Sequence, residues 1–280
     1  GIMEQGVILK LRRELDLYMN IRPARSFKQI TGNDINLVIL RENMEDFYSD
    51  ISGSFNENKN FSKNNNIYNF NININAGSNN RIYYTMGFLS EKNLNRFFTM
   101  AYSIANSGDI TVTDKANAVS MYSIWREIAD ARASMNNRKI SFEYADSLAY
   151  NMVKNPLKYK YIIAPNLYGD ILSDMASSMA GGLGYAPSGN IGDHNSMFEP
   201  VHGSAPDIAG KNIANPVASI LSASMMFRHL KMEDQASIID HALENVISNG
   251  IIPVDSGGNA GTEEFINKVK NECIMSKNRI

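Results

Sequence analysis

Apolar positions recur at steps of three and four along much of this chain, and short apolar runs separate those stretches. Ile8, Leu11, Leu15 and Tyr18 keep the helical step with Arg12, Arg13 and Glu14 between them, so residues 7–18 are predicted as a helix that Pro23 ends. Residues 35–40 (Ile-Asn-Leu-Val-Ile-Leu) read as a strand buried on both faces, with Arg41, Glu42 and Asn43 at its carboxyl end, where open α/β sheets place ligands. The same patterns predict helices over 94–105, 118–131, 141–153, 170–180, 213–230, 233–248 and 263–275, and strands over 110–113 and 159–164. Pro156 and the Gly181-Gly182 pair act as stops. Helices and buried strands alternate, which makes the class α/β. Residues 56–80 are rich in Asn, with strict alternation at 72–75, and read as a loop carrying an exposed hairpin arm. No Gly-x-Gly-x-x-Gly follows a strand, so a standard Rossmann fingerprint is absent.

Composition narrows the function classes. With 280 residues the chain suffices for one large or two medium domains, and 44% hydrophobic with 20% charged residues is ordinary for a soluble globular protein. A net charge of -2 argues against a nucleic-acid or anionic-membrane surface as the main business, leaving room for a local basic pocket. The single cysteine, Cys273, permits no internal disulfide and fits a reducing, cytoplasmic setting. The longest apolar candidate, 217–227, is interrupted by Ser219, Ser222 and Ser224 and is too short to span a bilayer. No signal-peptide pattern opens the chain, and a start at Gly1 leads us to expect a processed or incomplete chain.

Several side chains carry candidate chemistry. In Tyr168-Gly-Asp-Ile-Leu-Ser-Asp174, Asp170 and Asp174 lie one helical turn apart on one face; two such carboxylates repel unless a cation sits between them, and oxygen-only ligation suits Mg²⁺ or Mn²⁺. Spacing alone fits two solvated carboxylates equally. Arg12, Arg22 and Arg41 fall at the ends of apolar elements; converging, they would hold a di- or tricarboxylate by bidentate pairing, and dispersed, they are surface arginines. Lys115 follows a strand and suits a proton acceptor or a solvated loop lysine; Tyr48 suits a proton donor or a packing residue. Residues 199–210 form a Gly- and Pro-broken segment in which His202 and Asp207 flank small residues that let a backbone approach a nucleotide. There Asp207 would accept bonds from ribose hydroxyls and repel a 2′-phosphate; an ordinary surface loop has the same composition.

Taken together and in order, these segments resemble the β-decarboxylating dehydrogenases, the family of isocitrate, 3-isopropylmalate, homoisocitrate and tartrate/D-malate dehydrogenases. The matching pieces are 11–23, 40–48, 114–117, 144–146, 166–174, 182–193, 198–216 and 257–264, covering nearly the whole chain. The run Glu-Pro-Val-His-Gly-Ser-Ala-Pro-Asp-Ile-Ala-Gly at 199–210 is the most specific.

The resemblance implies roles. Arg12, Arg22 and Arg41 would clamp malate-type carboxylates, and Asp146, Asp170 and Asp174 would bind Mg²⁺ or Mn²⁺. Lys115 would assist removal of the hydroxyl proton, and Tyr48 would protonate the enol carbon after CO₂ leaves. Glu199, His202, Gly203, Ser204, Ala205, Pro206, Asp207 and Ile208 would hold the adenosine half of the cofactor, with Asn215 near adenine and Asn117 also at the cofactor. The acid at Asp207, where NADP-using relatives carry Lys-Tyr, points to NAD. In the family the equivalents of Lys115 and Asp146 come from the neighbouring subunit, which implies a homodimer.

For the substrate, isocitrate enzymes carry Ser and Asn where this chain has Gly6 and Ile8. Ile8 and Leu9 instead offer an apolar surface, suited to an isopropyl group through roughly 1–3 kcal/mol of burial energy. The implied substrate is 3-isopropylmalate, and isocitrate, homoisocitrate, D-malate and tartrate are the alternatives. The implied fold is a two-domain one around a shared central mixed sheet: a discontinuous first domain of 1–17 and 181–280, and a second, dimer-making domain of 18–180 with the Asn-rich arm near 51–88. Two departures stand out. The family's N-terminal strand, Gly-rich turn and helix are not matched, and Leu89-Ser-Glu-Lys-Asn93 replaces the usual Ser-Glu-Arg-Ile run. A non-catalytic regulatory subunit or inactive remnant is the rival reading, against which Tyr48, Lys115, Asp146, Asp170 and Asp174 all stand.

Overall fold

The computed structural model describes residues 7–49, 51–55, 59–64, 69–74 and 81–277. Its strands are β1 (Met19–Arg25), β2 (Asn36–Glu42), β3 (Ser52–Phe55), β4 (Lys59–Asn64), β5 (Asn69–Ile74), β6 (Ile82–Thr85), β7 (Ile110–Asp114), β8 (Ile140–Tyr144), β9 (Tyr161–Ala164), β10 (Pro187–Ile191) and β11 (Ser196–Pro200). The helices are α1 (Leu9–Glu14), α2 (Lys28–Thr31), α3 (Glu91–Ile104), α4 (Tyr122–Met135), α5 (Ala145–Lys154), α6 (Asn166–Met179), α7 (Val217–His229), α8 (Glu233–Ser248) and α9 (Thr262–Lys277). A seven-stranded mixed sheet in the order β11-β10-β1-β2-β9-β7-β8 organises them. From β11 to β2 the neighbours are antiparallel, and from β2 through β9 and β7 to β8 they are parallel.

The period-2 geometry of the central strands sorts their side chains onto two faces. Leu40, Val112 and Ile163 join Leu94, Phe97, Phe98, Tyr102 and Trp125 of α3 and α4 on one side. Leu37, Ile39 and Ile162 join Leu148, Met152, Leu172 and Ala176 of α5 and α6 on the other. Trp125 anchors the first cluster, with ring centroids 4.6 Å from Phe98 and 5.5 Å from Phe97. A third cluster packs Val217, Leu221, Leu243, Val246, Ile247, Phe265 and Val269 of α7, α8 and α9 around Phe27 and Tyr185.

The structure corrects several sequence expectations. The helix expected over 7–18 gives way after Glu14: Asp16 turns the chain at φ 51°, and Gly192 sits so close that a Cβ there would lie 2.5 Å from the Asp16 carbonyl oxygen. Tyr18 then enters the core as the lead-in to β1, which the helical spacing concealed. Pro23 lies inside β1 and ends no helix; β10 pairs only with residues 19–21, so one side of Pro23 needs no ladder hydrogen bond. The helix expected over 141–153 splits into β8, whose Ile-Ser-Phe-Glu-Tyr alternates as a strand does, and α5. Helix α6 begins at Asn166, right after Pro165, so Asp170 lies in its second turn and not at its start. Strands β10 and β11, for which the pattern predicted no element, form a hairpin, and Glu199, at the start of the Gly- and Pro-broken segment, belongs to β11. Within the Asn-rich arm, β3 pairs with β6 and β4 with β5, so the described residues there are mostly strand; the part of the alternating run at Asn75 lies outside the described residues.

Candidate active site

The carboxyl end of β2 delivers Arg41 to the edge of the sheet where β9 hands over to α6. Arg41 is 1% exposed. Its Nε donates to the Asn166 backbone oxygen (2.9 Å) and Oδ1 (3.0 Å), Nη2 donates to Asn166 Oδ1 (2.8 Å), and Nη1 donates to Asp170 Oδ1. A buried guanidinium is tolerable only with its donors engaged in this way. Burial, then the neighbouring Arg22, lowers its pKa, but a guanidinium with these acceptors stays protonated. The Arg41 stem lies against Gly169: a Cβ at 169 would meet Arg41 Cγ at 2.6 Å and Cβ at 2.9 Å. The glycine of Tyr168-Gly-Asp170 is thus a packing requirement of Arg41.

Arg22, on β1, reaches the same carboxylates. Its Nη1 donates to Ser173 Oγ at 2.7 Å and lies 3.1 Å from Asp170 Oδ1 and 3.4 Å from Asp174 Oδ1. Arg12, on α1, donates through Nη2 to Glu199 Oε1 at 3.4 Å, and its buried Nε has no hydrogen-bond partner among the described residues. Burial lowers the Arg12 pKa, partly offset by Glu199. The three arginines therefore converge, as the sequence allowed. Tyr48 completes the group: its hydroxyl donates to Asp170 Oδ2 at 2.8 Å, and Arg41 stacks over its ring at 5.3 Å. Burial and Asp170 hold the Tyr48 pKa above its ordinary value. The two aspartates diverge. Burial pushes both up, but Arg41 and Arg22 bring Asp170 below the usual carboxylate range, while Asp174 stays above it.

Lys115, Asp146 and Asn117 lie apart from this cluster. Lys115 Nζ pairs with Asp146 Oδ1 at 2.7 Å, and this hydrogen bond lowers the Asp146 pKa. The pair is mounted on a rigid base. Fully buried Asp114 accepts from Ala116 N (2.7 Å) and Arg126 Nε (2.7 Å), and Arg126 stacks on Tyr144 at 4.6 Å, two residues before Asp146. Asn117 is exposed on the turn after Lys115. Ile8 and Leu9 are half-buried at the start of α1, with Ile8 one helical turn before Arg12.

The segment after Glu199 carries the remaining expected residues. Gly203, Ser204, Ala205, Pro206 and Asp207 are exposed, and His202 and Ile208 are half-buried. Ala205 adopts φ 43°, and Gly210 adopts φ 75°. His202 Nδ1 lies 2.9 Å from the Gly203 carbonyl, and its buried Nε2 has no partner among the described residues. Asn215 Oδ1 accepts from Val217 N (3.0 Å) at the start of α7, and its Nδ2 donates to both Asp255 oxygens (3.1 Å each). Small side chains leave the face of this loop open.

The donor set fits a divalent cation in part within one chain. Asp170 and Asp174 point one oxygen each at a single cationic atom, Arg22 Nη1, so their charges already converge on one point. Among the described residues no three His, Cys, Asp or Glu side chains gather to hold a metal ion, because Asp146 sits with Lys115.

Sequence reasoning passed over several residues that build this site: Asn20, Asn166, Ser173, Asn190, Asp114 and Arg126. Asn20 and Arg22 alternate on one face of β1, and a polar pair at inward strand positions was the available signal.

The comparisons with known proteins agree with this geometry. The family model for isocitrate/isopropylmalate dehydrogenase matches residues 3–269. The 3-isopropylmalate/3-methylmalate dehydrogenase of Methanocaldococcus jannaschii is 36% identical over 283 residues, covering 96% of this chain and 77% of that protein. A probable mitochondrial NAD isocitrate dehydrogenase subunit alpha of Drosophila melanogaster is 36% identical over 277 residues, covering 96% and 67%. The crystal structure of isocitrate dehydrogenase from Methylococcus capsulatus superposes with a TM-score of 0.81 at 31% identity, covering 95% of this chain and 76% of that one. With the arginine, tyrosine and aspartate positions assembled on the matching sheet, this chain belongs to the isocitrate/isopropylmalate dehydrogenase family of decarboxylating dehydrogenases.

Proposed function

We propose that the chain catalyses the NAD- and Mg²⁺- or Mn²⁺-dependent oxidative decarboxylation of a 3-substituted malate, with 3-isopropylmalate as the favoured substrate. The observation that carries this reading is the convergence of Arg12, Arg22 and Arg41 beside Tyr48 and the Asp170–Asp174 pair. Three converging guanidinium groups suit a substrate with at least two carboxylates. Ile8, one turn before Arg12, and Leu9 offer no donor to a third carboxylate, which favours an apolar substituent.

A bound nicotinamide would supply the hydride acceptor for the carbinol carbon, and a bound divalent cation would supply a Lewis acid for charge developing on the neighbouring oxygen. Asp170 and Asp174, with Asp146 of a second copy, are the residues suited to hold that cation. The arginines orient the carboxylates. Lys115 assists removal of the hydroxyl proton, and Tyr48 delivers a proton to the enol carbon after CO₂ departs. Residues 199–208 and Asn215 face the adenosine half of the cofactor, with Asn117 on the second copy's side. The negative charge of Asp207 and the NAD in the name of the Drosophila relative support NAD over NADP.

The same reading makes the protein a homodimer with shared sites. Lys115 and Asp146 pair with each other away from the arginines, and the Asp146 side chain is 66% exposed. Tyr150, Val153 and Leu157 follow it at three- and four-residue steps and are exposed, an apolar stripe that a second copy would cover. We assign 1–17 with 181–280 to one domain and 18–180 to the other, with the site between them.

The test is NADH formation with Mg²⁺ or Mn²⁺ and four candidate substrates: 3-isopropylmalate, isocitrate, homoisocitrate and D-malate. Preference for 3-isopropylmalate is expected. Preference for isocitrate would keep the chemistry and overturn the apolar assignment of Ile8 and Leu9; no turnover with any would favour a regulatory subunit.

A further inference from the structure

Beneath the arginines runs a chain of buried amides that the proposed chemistry does not use. Arg22 Nε donates to Asn20 Oδ1 at 2.7 Å. Asn20 Nδ2 donates to Ser188 Oγ at 2.7 Å and to Asn190 Oδ1 at 3.0 Å. Asn190 Oδ1 also accepts from Asn43 Nδ2 at 3.1 Å, while its Nδ2 donates to Glu199 Oε1 at 3.0 Å. That same Glu199 oxygen receives Arg12. Asn20 and Asn190 are both 0% exposed, and they are register partners across β1 and β10.

The path Arg22–Asn20–Asn190–Glu199–Arg12 joins two guanidinium groups carried by different elements. Only a side chain with an acceptor at one end and a donor at the other can occupy 190: its oxygen takes two amide donors and its nitrogen must face a carboxylate. A leucine would leave those donors unpaired in the core, and a carboxylate would oppose Glu199.

We propose that Asn190 is a positioning residue that holds Arg12 and Arg22 in one frame, so that both meet the substrate carboxylates together. This rests on reading Arg12 and Arg22 as the substrate clamp. Asn190 itself lies below the clamp and touches it only through Asn20 and Glu199.

Asn190→Asp keeps the shape and removes the donor. Its new carboxylate would face Glu199, and the pair would then share one proton as pH falls. In the full-length protein we expect the substrate KM to rise about tenfold at about pH 8.5 and to recover toward about pH 6, with the NAD KM within about twofold of the unsubstituted protein throughout. A second variant, Asn190→Ala, removes donor and acceptor without adding a charge, and is expected to raise the substrate KM about tenfold at about pH 8.5 and about pH 6 alike. Thermal midpoints for each variant separate misfolding from misplacement. If the aspartate variant does not fold, the folded alanine variant carries the test, and an unchanged substrate KM in it would overturn the proposal. So would a folded aspartate variant with an unchanged, pH-independent KM. An unsubstituted protein that neither binds nor turns over any 3-substituted malate would overturn the functional reading and this inference with it; turnover with an indifferent position 190 would overturn this inference alone.

Discussion

Tyr48 donates its phenol proton to Asp170 Oδ2 over 2.8 Å, on a carboxylate whose other oxygen is held by Arg41 and Arg22. Burial and that carboxylate keep the phenol protonated well past neutral pH, the state a proton donor needs. Tyr48→Phe is therefore expected to lower kcat by about 10²–10⁴-fold while the substrate KM changes little. Steady-state kinetics check this, and a kcat within a few-fold of the unsubstituted enzyme would remove Tyr48 from the chemistry.

Gly169 faces the stem of Arg41 so closely that a methyl group would meet Cγ at 2.6 Å. Gly169→Ala sits on a helix and costs nothing in backbone conformation, so its effect is overpacking of about 1–3 kcal/mol. Either Arg41 moves or α6 does. The expected result is a raised substrate KM together with a lowered denaturant midpoint; an unchanged KM would show that Arg41 is not placed by Gly169.

Much of this site was legible in the sequence because its residues sit at fixed offsets within short motifs. Arg41 ends an apolar strand, Asp170 and Asp174 share a helix face, and Tyr48 stands seven residues past Arg41, so local pattern singled each out while the family resemblance supplied its role. The supporting layer was not legible. Asn20 and Asn190 are 170 residues apart and meet only through the β1–β10 register, a non-local pairing that no periodicity reports. β1 itself was hidden by Leu15 and Tyr18, which continue the helical step of α1 by coincidence, and by Pro23, which is usually a stop. β8 was absorbed into the following helix because its five residues abut α5 without a Gly or Pro between them.

Glu42 is completely buried beside Glu45 and Asp46, and its carboxyl accepts Met44 N (2.8 Å), Asn93 Nδ2 (2.9 Å) and Glu45 N (2.9 Å). Burial, then Glu45, pushes its pKa up to about 8 from 4.5. The folded value lies above the unfolded one, so between these pH values the native state keeps a proton that the unfolded chain has lost. The stability this group contributes is full below about pH 4.5 and is lost as pH rises through about 8. Glu42→Gln is expected to flatten that decline by about 1 kcal/mol per pH unit. Urea unfolding at several pH values checks this; an unaltered slope would assign the titration to another group.

The separation of Lys115 and Asp146 from the arginines makes a subunit-mixing experiment decisive for shared sites. Tyr48→Phe and Lys115→Met are each expected to be nearly inactive as pure dimers. In a mixed dimer one site carries both defects and the other carries none, so activity reappears after denaturation and refolding together. No recovery in verified mixed dimers would mean that each chain completes its own site.

The most direct test of the central claim is the ratio of CO₂ released to NADH formed on 3-isopropylmalate, with Mn²⁺ present and after its removal by chelation. The account predicts one CO₂ for each NADH with the metal, loss of both on chelation, and return of both when the metal is restored. NADH formation that persists undiminished without metal, or that proceeds with no CO₂, would contradict the assignment of Asp170 and Asp174 to a cation that serves decarboxylation.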